Sequence, residues 1–160
     1  MASRTIDTPA GPLRLAATER GLSEVAFATQ SEKSMSPDAS DRRGRQILDA
    51  AERQLGEYFA GKRHEFDLPL DLHGSDFQQR IWAAISRIPF AATASYKEVA
   101  AGAGVPGANR AAGRACGANP VVIIVPCHRV LASDGSLRGY GGGLALKRWL
   151  LAHEGALTRH

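Results

Sequence analysis

Apolar and polar residues alternate near the start of the chain. The alternation covers residues 13–17 and returns at residues 25–27, with turn-forming residues before each stretch. A period of two residues is that of a strand with one buried face. The pattern therefore predicts a β-hairpin or meander within the first 27 residues.

The apolar spacing then changes to three and four residues. Residues 45–60 follow this helical period, and Gly61 comes directly after them. The polar stretch 30–45 before the helix is expected to be a loop. Residues 65–74 return to alternation but contain Pro69, which favours an edge strand or an extended linker.

Two capping boxes predict where helices begin in the second half. Ser75 is followed by Gln78, and Ser95 by Glu98. In this pattern the serine and the later side chain each bond a backbone N–H that the helix leaves without a partner. The first of these helices is expected to end before Pro89. The core is expected to include Phe77, Ile81, Trp82 and Trp149.

The second capping box opens a helix-turn-helix outline. A short helix over about residues 96–103 precedes a GVPG turn at 104–107 and an alanine-rich helix over 108–118. One more helix is expected to end at Gly155, which is suited to a C-terminal cap.

Together these elements predict an α+β protein with two lobes. Residues 1–70 would form a small N-terminal α/β lobe with an antiparallel β-sheet and a helix. Residues 71–160 would form a mainly helical lobe that contains the helix-turn-helix and the segment PCHRV, residues 126–130. The 160 residues are 44% hydrophobic and 22% charged, which is typical of a globular protein.

Composition bears on the location of the protein, on membrane partners and on metal sites. The chain has no apolar run of about 18 residues, and its N-terminus lacks the apolar core of a signal peptide. We therefore expect no membrane partner and a cytoplasmic location. The two cysteines, Cys116 and Cys127, form no CxxC motif and have no zinc-site spacing, so no metal site is expected.

Positive charge is concentrated in the second lobe. Residues 71–160 hold ten Lys or Arg and five Asp or Glu, whereas residues 1–70 hold ten and eleven. A basic lobe joined to a nearly neutral one indicates a polyanionic partner for the basic lobe.

Cys127 is the strongest candidate for chemistry. It follows the apolar run 121–125 and Pro126, and it precedes His128. Cysteine attacks as the thiolate, which a histidine oriented by a carboxylate such as Glu154 can generate. Because neighbouring side chains on a strand point to opposite faces, contact between Cys127 and His128 needs a turn or a bridging water. The alternative is that Cys127 is a small buried core residue.

Several linked segments resemble one known family. The segment NPVVIIVPCHRVL, residues 119–131, is similar to the active-site signature of the O6-alkylguanine-DNA alkyltransferases, which contains Pro-Cys-His-Arg. Residues 74–100, 110–120 and 139–155 resemble that family's Phe-Gln to Ser-Tyr stretch, its Arg-Ala-Val-Gly helix and its Gly-Tyr-x-Gly-Gly loop. The opening TPAGPLRLAAT, residues 8–18, also resembles the family.

The resemblance implies suicidal alkyl transfer. Members of this family move an alkyl group from O6 of guanine, or O4 of thymine, irreversibly to their own cysteine, which implies Cys127 as the acceptor for one turnover. His128 would draw off the thiol proton through a water, Glu154 would hold the imidazole, and Asn119 would brace the active-site turn. Tyr96 would crowd the target phosphate and donate a proton to the base.

The resemblance also implies base flipping from the minor groove. Arg110 would insert into the base stack. The small residues Ala111 and Gly113 would let the helix enter the groove, and Arg114 is either a phosphate contact or a solvated residue. The expected partner is double-stranded DNA, bound by a monomer without sequence preference.

A glycine-rich loop would complete the substrate pocket. Backbone groups of Cys127 and Val130 would read the edge of the flipped guanine. The residues that would wall the pocket and offer N–H donors to O6 are Tyr140, Gly141, Gly142 and Gly143. The pair Phe90-Ala91 stands where the family usually has Tyr-Gly, a departure that bears on pocket width and substrate range. No cofactor is implied.

Two other functions stay open at this point. An alkyltransferase-like protein that binds damaged DNA without transfer chemistry would share the fold but lack the cysteine, so Cys127 argues against it. An unrelated cysteine hydrolase or thiol-redox protein has no CxxC motif or other independent support in this sequence.

Overall fold

A computed structural model describes residues 2–28, 42–137, 140 and 143–156 of the chain. The chain divides into two compact units. The first unit comprises residues 1–73 and 120–122, and the second comprises residues 74–119 and 123–160. The predicted lobe boundary after residue 70 lies close to the division at residue 73.

A three-stranded antiparallel sheet begins the first unit. Its strands β1 (Ala2–Ile6), β2 (Leu13–Ala17) and β3 (Leu22–Phe27) lie in the order β1-β2-β3. The predicted meander is therefore confirmed. Leu13 and Leu15 are fully buried, as the alternation requires of residues on one face of a strand.

Helix α1 (Arg42–Phe59) completes the first unit. It begins three residues before the predicted start because its first turn carries no apolar residue that would have indicated it. The rest of the predicted loop, residues 30–41, lies outside the described residues. Gln54 is buried and its amide bonds both backbone groups of Asp67, at 3.0 and 2.9 Å. The apolar residues of α1 that are buried are Ile47, Leu48, Ala51, Leu55 and Tyr58.

The stretch around Pro69 is an extended segment with one bridge and no regular strand. Leu22 donates its N–H to the carbonyl of Pro69 at 2.8 Å and accepts one from the N–H of Asp71 at 2.8 Å. Gly21 allows this approach, because a Cβ atom there would lie 2.6 Å from the carbonyl carbon of Pro69. Of the two predicted possibilities, the extended linker is the correct one.

Helices dominate the second unit. They are α2 (Asp76–Ser86), α3 (Tyr96–Gly102), α4 (Asn109–Gly117) and α5 (Leu144–His153). Both predicted capping boxes are formed: Ser75 caps α2 together with Gln78, and Ser95 caps α3 together with Glu98. Two short strands, β4 (Ala94–Ser95) and β5 (Val130–Leu131), pair in parallel.

Trp82 lies in the core of the second unit and joins two helices. Its side chain is 2% exposed, and its indole N–H donates to the Ala115 carbonyl at 2.8 Å, which ties α2 to α4. Trp149 was wrongly expected in the core: it is 37% exposed and its ring stacks on His153 at a centroid distance of 5.2 Å. Phe77 is only half-buried. The buried face of α5 instead contains Lys147, Leu150 and Leu151.

None of the helices found in the described ranges is long and apolar enough to cross a membrane.

Candidate active site

Cys127 lies in a tight turn that interrupts the apolar run. The N–H of Cys127 donates to the Val125 carbonyl at 2.8 Å, which closes a γ-turn. The N–H of Arg129 donates to the Pro126 carbonyl at 2.9 Å and the N–H of Val130 donates to the Cys127 carbonyl, and these two bonds make residues 127–129 one turn of 3₁₀-helix. Just before this turn, the buried Ile123 adopts a φ of 72°, a left-handed conformation that is costly for a β-branched residue. The turn that a Cys-His arrangement requires is therefore present.

Asn119 braces this turn and contacts the sulfur. Its side-chain Nδ2 donates to the Val125 carbonyl at 2.7 Å and to Sγ of Cys127 at 3.1 Å. Because a carbonyl oxygen can only accept, the contact with Val125 decides which end of the amide faces the turn. The amide of Asn119 therefore bonds both the backbone of the turn and the sulfur.

The Cys127 thiol is nearly buried, and burial raises its pKa above the ordinary value. The N–H of Asn119 and the positive charge of Lys147 both favour the thiolate and oppose that effect. Cys127 therefore rests as a thiol at neutral pH, and these two neighbours reduce the cost of ionising it.

His128 is fully buried and is held through one ring nitrogen. Its Nε2 lies 2.7 Å from Oε2 of Glu154. Because a carboxylate accepts, Nε2 carries the proton and Nδ1 keeps the lone pair. Nδ1 has no hydrogen-bond partner among the described residues, so it makes no direct bond to Cys127. Burial lowers the pKa of His128, with Glu154 acting in the opposite direction, so the ring is neutral at pH 7 and can accept a proton.

Arg129 fixes the other side of the Glu154 carboxylate. Its Nε and Nη2 donate to Oε1 and Oε2 at 2.7 and 3.0 Å, and its Nη1 donates to the Ile88 carbonyl at 2.7 Å. A bidentate arginine–carboxylate pair is geometrically specific, and here it is almost fully buried. His128, Arg129 and Glu154 thus form one hydrogen-bonded cluster, in which the buried Nδ1 of His128 has no hydrogen-bond partner among the described residues.

A cavity of about 430 Å³ opens onto Cys127. Its volume falls within the range of small-molecule sites. The ring of Tyr96 stands beside α4, where a Cβ atom at Gly113 would meet it at an ordinary 3.8 Å. The residues that line the cavity are Tyr96, Asn109, Arg110, Gly113, Cys116, Gly117, Cys127 and Tyr140.

The comparisons with known proteins agree with one another. The family model for the DNA-binding domain of 6-O-methylguanine DNA methyltransferase matches residues 76–156, and the model for the ribonuclease-like domain of the same proteins matches residues 1–72. The chain belongs to the 6-O-methylguanine DNA methyltransferase family. Fold class, family and enzyme class, which we predicted from the sequence, are thereby confirmed.

Relatives support this membership along nearly the whole chain. A methylated-DNA–protein-cysteine methyltransferase of Mycobacterium tuberculosis is 48% identical over 155 residues, covering 94% of this chain and 90% of the relative. One from Methanosarcina barkeri is 44% identical over 149 residues, covering 93% and 94%. The crystal structure of Mycobacterium tuberculosis OGT in complex with DNA has a TM-score of 0.84 and 46% identity, covering 96% of this chain and 92% of that one.

The site gathers most, but not all, of the residues that the methyltransferase resemblance singled out. Cys127, Tyr96, Arg110, Gly113 and Tyr140 line one cavity. Asn119 contacts the thiol directly, and His128, the next residue after Cys127, bonds Glu154. Ala111 is half-buried and Arg114 is exposed; both lie on α4, but neither lines the cavity.

The loop residues expected to wall the pocket are only partly observed. Gly141 and Gly142 lie outside the described residues. Gly143 has a φ of 96°, caps α5 and donates its N–H to the Tyr140 carbonyl at 2.9 Å, so that N–H is already engaged within the loop. The carbonyl of the buried Val130 is also engaged, because it accepts a hydrogen bond from Nζ of Lys147 at 2.7 Å.

Two functional candidates were missed by sequence reasoning. Arg129 belongs to the recognised Pro-Cys-His-Arg motif, yet no role followed from the resemblance for it. Lys147 lies three and seven residues before Leu150 and Glu154, a helical spacing that places it on their face. A charged residue on an otherwise buried helical face was the signal that could have found it. Within the described ranges, no group of three or more potential metal-ligating side chains occurs.

Proposed function

We propose that this chain repairs O6-alkylguanine, and O4-alkylthymine, in duplex DNA by transferring the alkyl group to Cys127. Each molecule would act once. The observation that carries the proposal is a cysteine that lines a cavity and is followed in the chain by His128 and Arg129, which form a buried hydrogen-bonded cluster with Glu154. Membership in a methyltransferase family supplies the reaction class, and this geometry supports the residue roles.

Activation of the thiol would run through His128. Its neutral ring offers Nδ1 as the base, and Glu154 accepts from Nε2 and stabilises the imidazolium that forms. Since no direct bond joins Nδ1 to Cys127, the proton would pass through one bridging water. Asn119 donates to the sulfur and so favours the ionised form.

The transfer itself would be a displacement at carbon. The sulfur lone pair forms the S–C bond, the C–O6 bond breaks, and its electron pair goes to the guanine oxygen. Tyr96, which lines the cavity, would supply the proton that the departing base takes up. The product is a thioether, which water does not hydrolyse, so the acceptor is not regenerated. No cofactor takes part.

Residues 71–160 would both bind DNA and carry out the transfer, and residues 1–70 would support the fold. Arg110 is exposed at the edge of the cavity, where it could occupy the gap that a flipped base leaves. The small residues Ala111 and Gly113 would let α4 enter the minor groove, and the exposed Arg114 would contact a phosphate.

The proposal also covers how the protein binds DNA and where in the cell it acts. A monomer would bind the duplex without sequence preference through phosphate contacts, so binding should weaken with salt. Both cysteines are free thiols, the state that a reducing compartment maintains, which supports a cytoplasmic location.

Mass spectrometry of the protein after exposure to an O6-methylguanine duplex tests the proposal. We expect one added methyl group, located on the peptide that contains Cys127. Cys127→Ala should gain nothing, whereas Cys116→Ala, the matched control, should still gain one. Duplex binding without added mass would support the non-catalytic damage-binding alternative and overturn the transfer.

A further inference from the structure

Asn109 is a polar residue that neither the fold nor the chemistry above uses. It is the first residue of α4, it is exposed, and it lines the same cavity as Cys127. Asparagine is favoured just before a helix, where its side chain caps the first N–H groups, and is disfavoured inside one. Here Ala108 holds the position before the helix, and no side chain caps it. Asn109 therefore does not stabilise the start of α4, which indicates a role outside the helix.

The amide of Asn109 is available for a partner that approaches from outside. It has no hydrogen-bond partner among the described residues, whereas the other asparagine of the chain, Asn119, bonds the Val125 carbonyl and the sulfur of Cys127. A side-chain amide offers two N–H donors and one carbonyl acceptor. Asn109 thus presents both kinds of group on the exposed side of α4.

The face of α4 that carries Asn109 is otherwise nearly bare. The residues of α4 that line the cavity recur at the spacing of one helical face, at positions 109, 110, 113, 116 and 117. A Cβ atom at Gly113 would meet the Tyr96 ring at an ordinary 3.8 Å, and one at Gly117 would meet nothing within 4 Å. Packing within the protein therefore requires neither glycine, although glycine lowers the stability of a helix. Asn109 and Arg110 are the long polar side chains on this face.

The position of Asn109 beside Arg110 defines what it would meet on DNA. In the proposed complex, Arg110 fills the gap that the flipped base leaves. Neighbouring Cα atoms are about 3.8 Å apart, close to the rise of about 3.4 Å between base pairs. Asn109 therefore meets the base pair next to the gap, from the minor groove.

The minor groove offers an asparagine one clear distinction. Every base pair presents acceptors there, and a G·C pair adds the N2–H donor of guanine. The amide of Asn109 can donate to N3 and accept from N2–H of the same guanine, whereas an A·T pair leaves its carbonyl oxygen without a donor. This chemistry favours a G·C neighbour over an A·T neighbour.

We propose that Asn109 is a specificity-determining residue for alkyl transfer, which reads the minor-groove edge of a guanine next to the lesion. This inference rests on the proposed function and assigns it a preferred sequence context. Asn109 takes no part in the bond changes at Cys127. Binding to undamaged duplex remains without sequence preference, because phosphate contacts dominate it. The preference appears in the rate of transfer, once Arg110 occupies the gap.

Single-turnover methyl transfer to Cys127 tests the contact at the level of one amino group. Rate constants are measured for duplexes in which each neighbour of O6-methylguanine is in turn a guanine, on either strand, and for the same duplexes with inosine in its place. Inosine lacks only the N2 amino group. The reverse change puts 2,6-diaminopurine in place of a neighbouring adenine and adds that group. The native chain is compared with Asn109→Ala and with the matched control Arg114→Ala, an exposed residue of α4 that does not line the cavity.

We expect transfer in the native chain to be about tenfold faster beside the favoured guanine than beside inosine, because a two-bond contact to a base edge discriminates by about that factor. Diaminopurine should accelerate transfer over adenine similarly. Asn109→Ala should not distinguish the bases, and Arg114→Ala should slow transfer in all duplexes alike. Pair stability alone predicts the opposite order, because a weaker neighbouring pair makes flipping easier.

Equal rates beside guanine and inosine in the native chain would overturn the proposal, and this comparison requires no variant. A guanine preference that persists in Asn109→Ala would also overturn it. Because alanine favours a helix more than asparagine does, the melting temperature of Asn109→Ala should not fall. Absence of transfer from every duplex would contradict the proposed function and this inference with it, whereas transfer that ignores the amino group would contradict the reading by Asn109 alone.

Discussion

The two units of this chain differ in whether the ion pairs compared below are exposed to solvent or buried. In the first unit, the ion pair between Arg14 and Glu24 leaves its side chains 38% and 37% exposed. In the second unit, the pair between Arg129 and Glu154 is 7% and 0% exposed. Exposed pairs stabilise a fold little, whereas buried pairs are costly unless their geometry is complete.

The two units also differ in which residue types adopt a positive φ. Among the described residues of the first unit, the positions with positive φ are Gly11 and Gly61. In the second unit, Ala91 and the buried Ile123 also adopt positive φ, at 67° and 72°. Departures from local structural preference concentrate where function requires them. The first unit follows those preferences, and the unit that holds Cys127 departs from them.

The largest expected difference between the units is in the free energy of unfolding that is lost when a carboxylate is removed. Glu154→Ala should lower the free energy of unfolding by about 3–5 kcal/mol, because it leaves the Arg129 guanidinium and the His128 N–H buried without their acceptor. Glu24→Ala, the control in the first unit, should cost at most about 1 kcal/mol. Urea unfolding measures both; equal losses would remove the contrast.

An exposed arginine of the second unit should matter for activity rather than for stability. Arg110→Ala should slow repair in duplex DNA about tenfold or more, because only the duplex requires a flipped base and a filled gap. Transfer from free O6-benzylguanine and the free energy of unfolding should change little. Arg14→Ala should affect neither substrate. Equal slowing on both substrates would contradict the intercalating role of Arg110.

One substitution should relieve the unfavourable positive φ of Ala91. Ala91→Gly should raise the free energy of unfolding by about 1 kcal/mol, because glycine adopts a φ of 67° without the Cβ penalty. The mirror change in the first unit, Gly61→Ala at a φ of 76° in open space, should lower it by a similar amount. If Ala91→Gly is destabilising, the turn at Phe90-Ala91 is not strained in the way proposed.

The smallest expected difference is in the acid dependence of stability. Since burial lowers the pKa of His128 in the folded chain, the unfolded chain binds a proton first as the pH falls. The contribution of His128 is complete above about pH 6.5 and is lost as the pH falls through its lower folded pKa, with Glu154, Arg129 and Lys147 as the facing charges. His128→Gln should flatten that slope, by less than about 1 kcal/mol between pH 6.5 and 5.5.

Local signals predicted the elements well because they arise from neighbouring residues. Both capping boxes form as expected, and the meander matches the alternation of its apolar residues. The motif around Cys127 also singled out His128 and Glu154, which are 26 residues apart in the chain and lie within 2.7 Å of each other in the structure. Their roles in alkyl transfer were implied by the resemblance, since periodicity alone left a buried core cysteine open.

The residues that were predicted wrongly or overlooked owe their positions to tertiary packing. Trp149 is large and apolar, so composition favours a core position, but the face of α5 that packs inward is set by Leu150 and Leu151. Lys147 shares that face, and nothing in its own identity indicates burial. Arg129 required the three-dimensional position of Glu154 before its bidentate pairing could be recognised.

The count of lesions repaired per protein molecule tests the central claim most directly. A known amount of protein is incubated with excess duplex that carries O6-methylguanine, and the lesion remaining is measured until the reaction stops. We predict a plateau at one lesion lost per chain, independent of incubation time, and none for Cys127→Ala. Continued loss beyond one per chain, or no loss at all, would contradict irreversible transfer to Cys127.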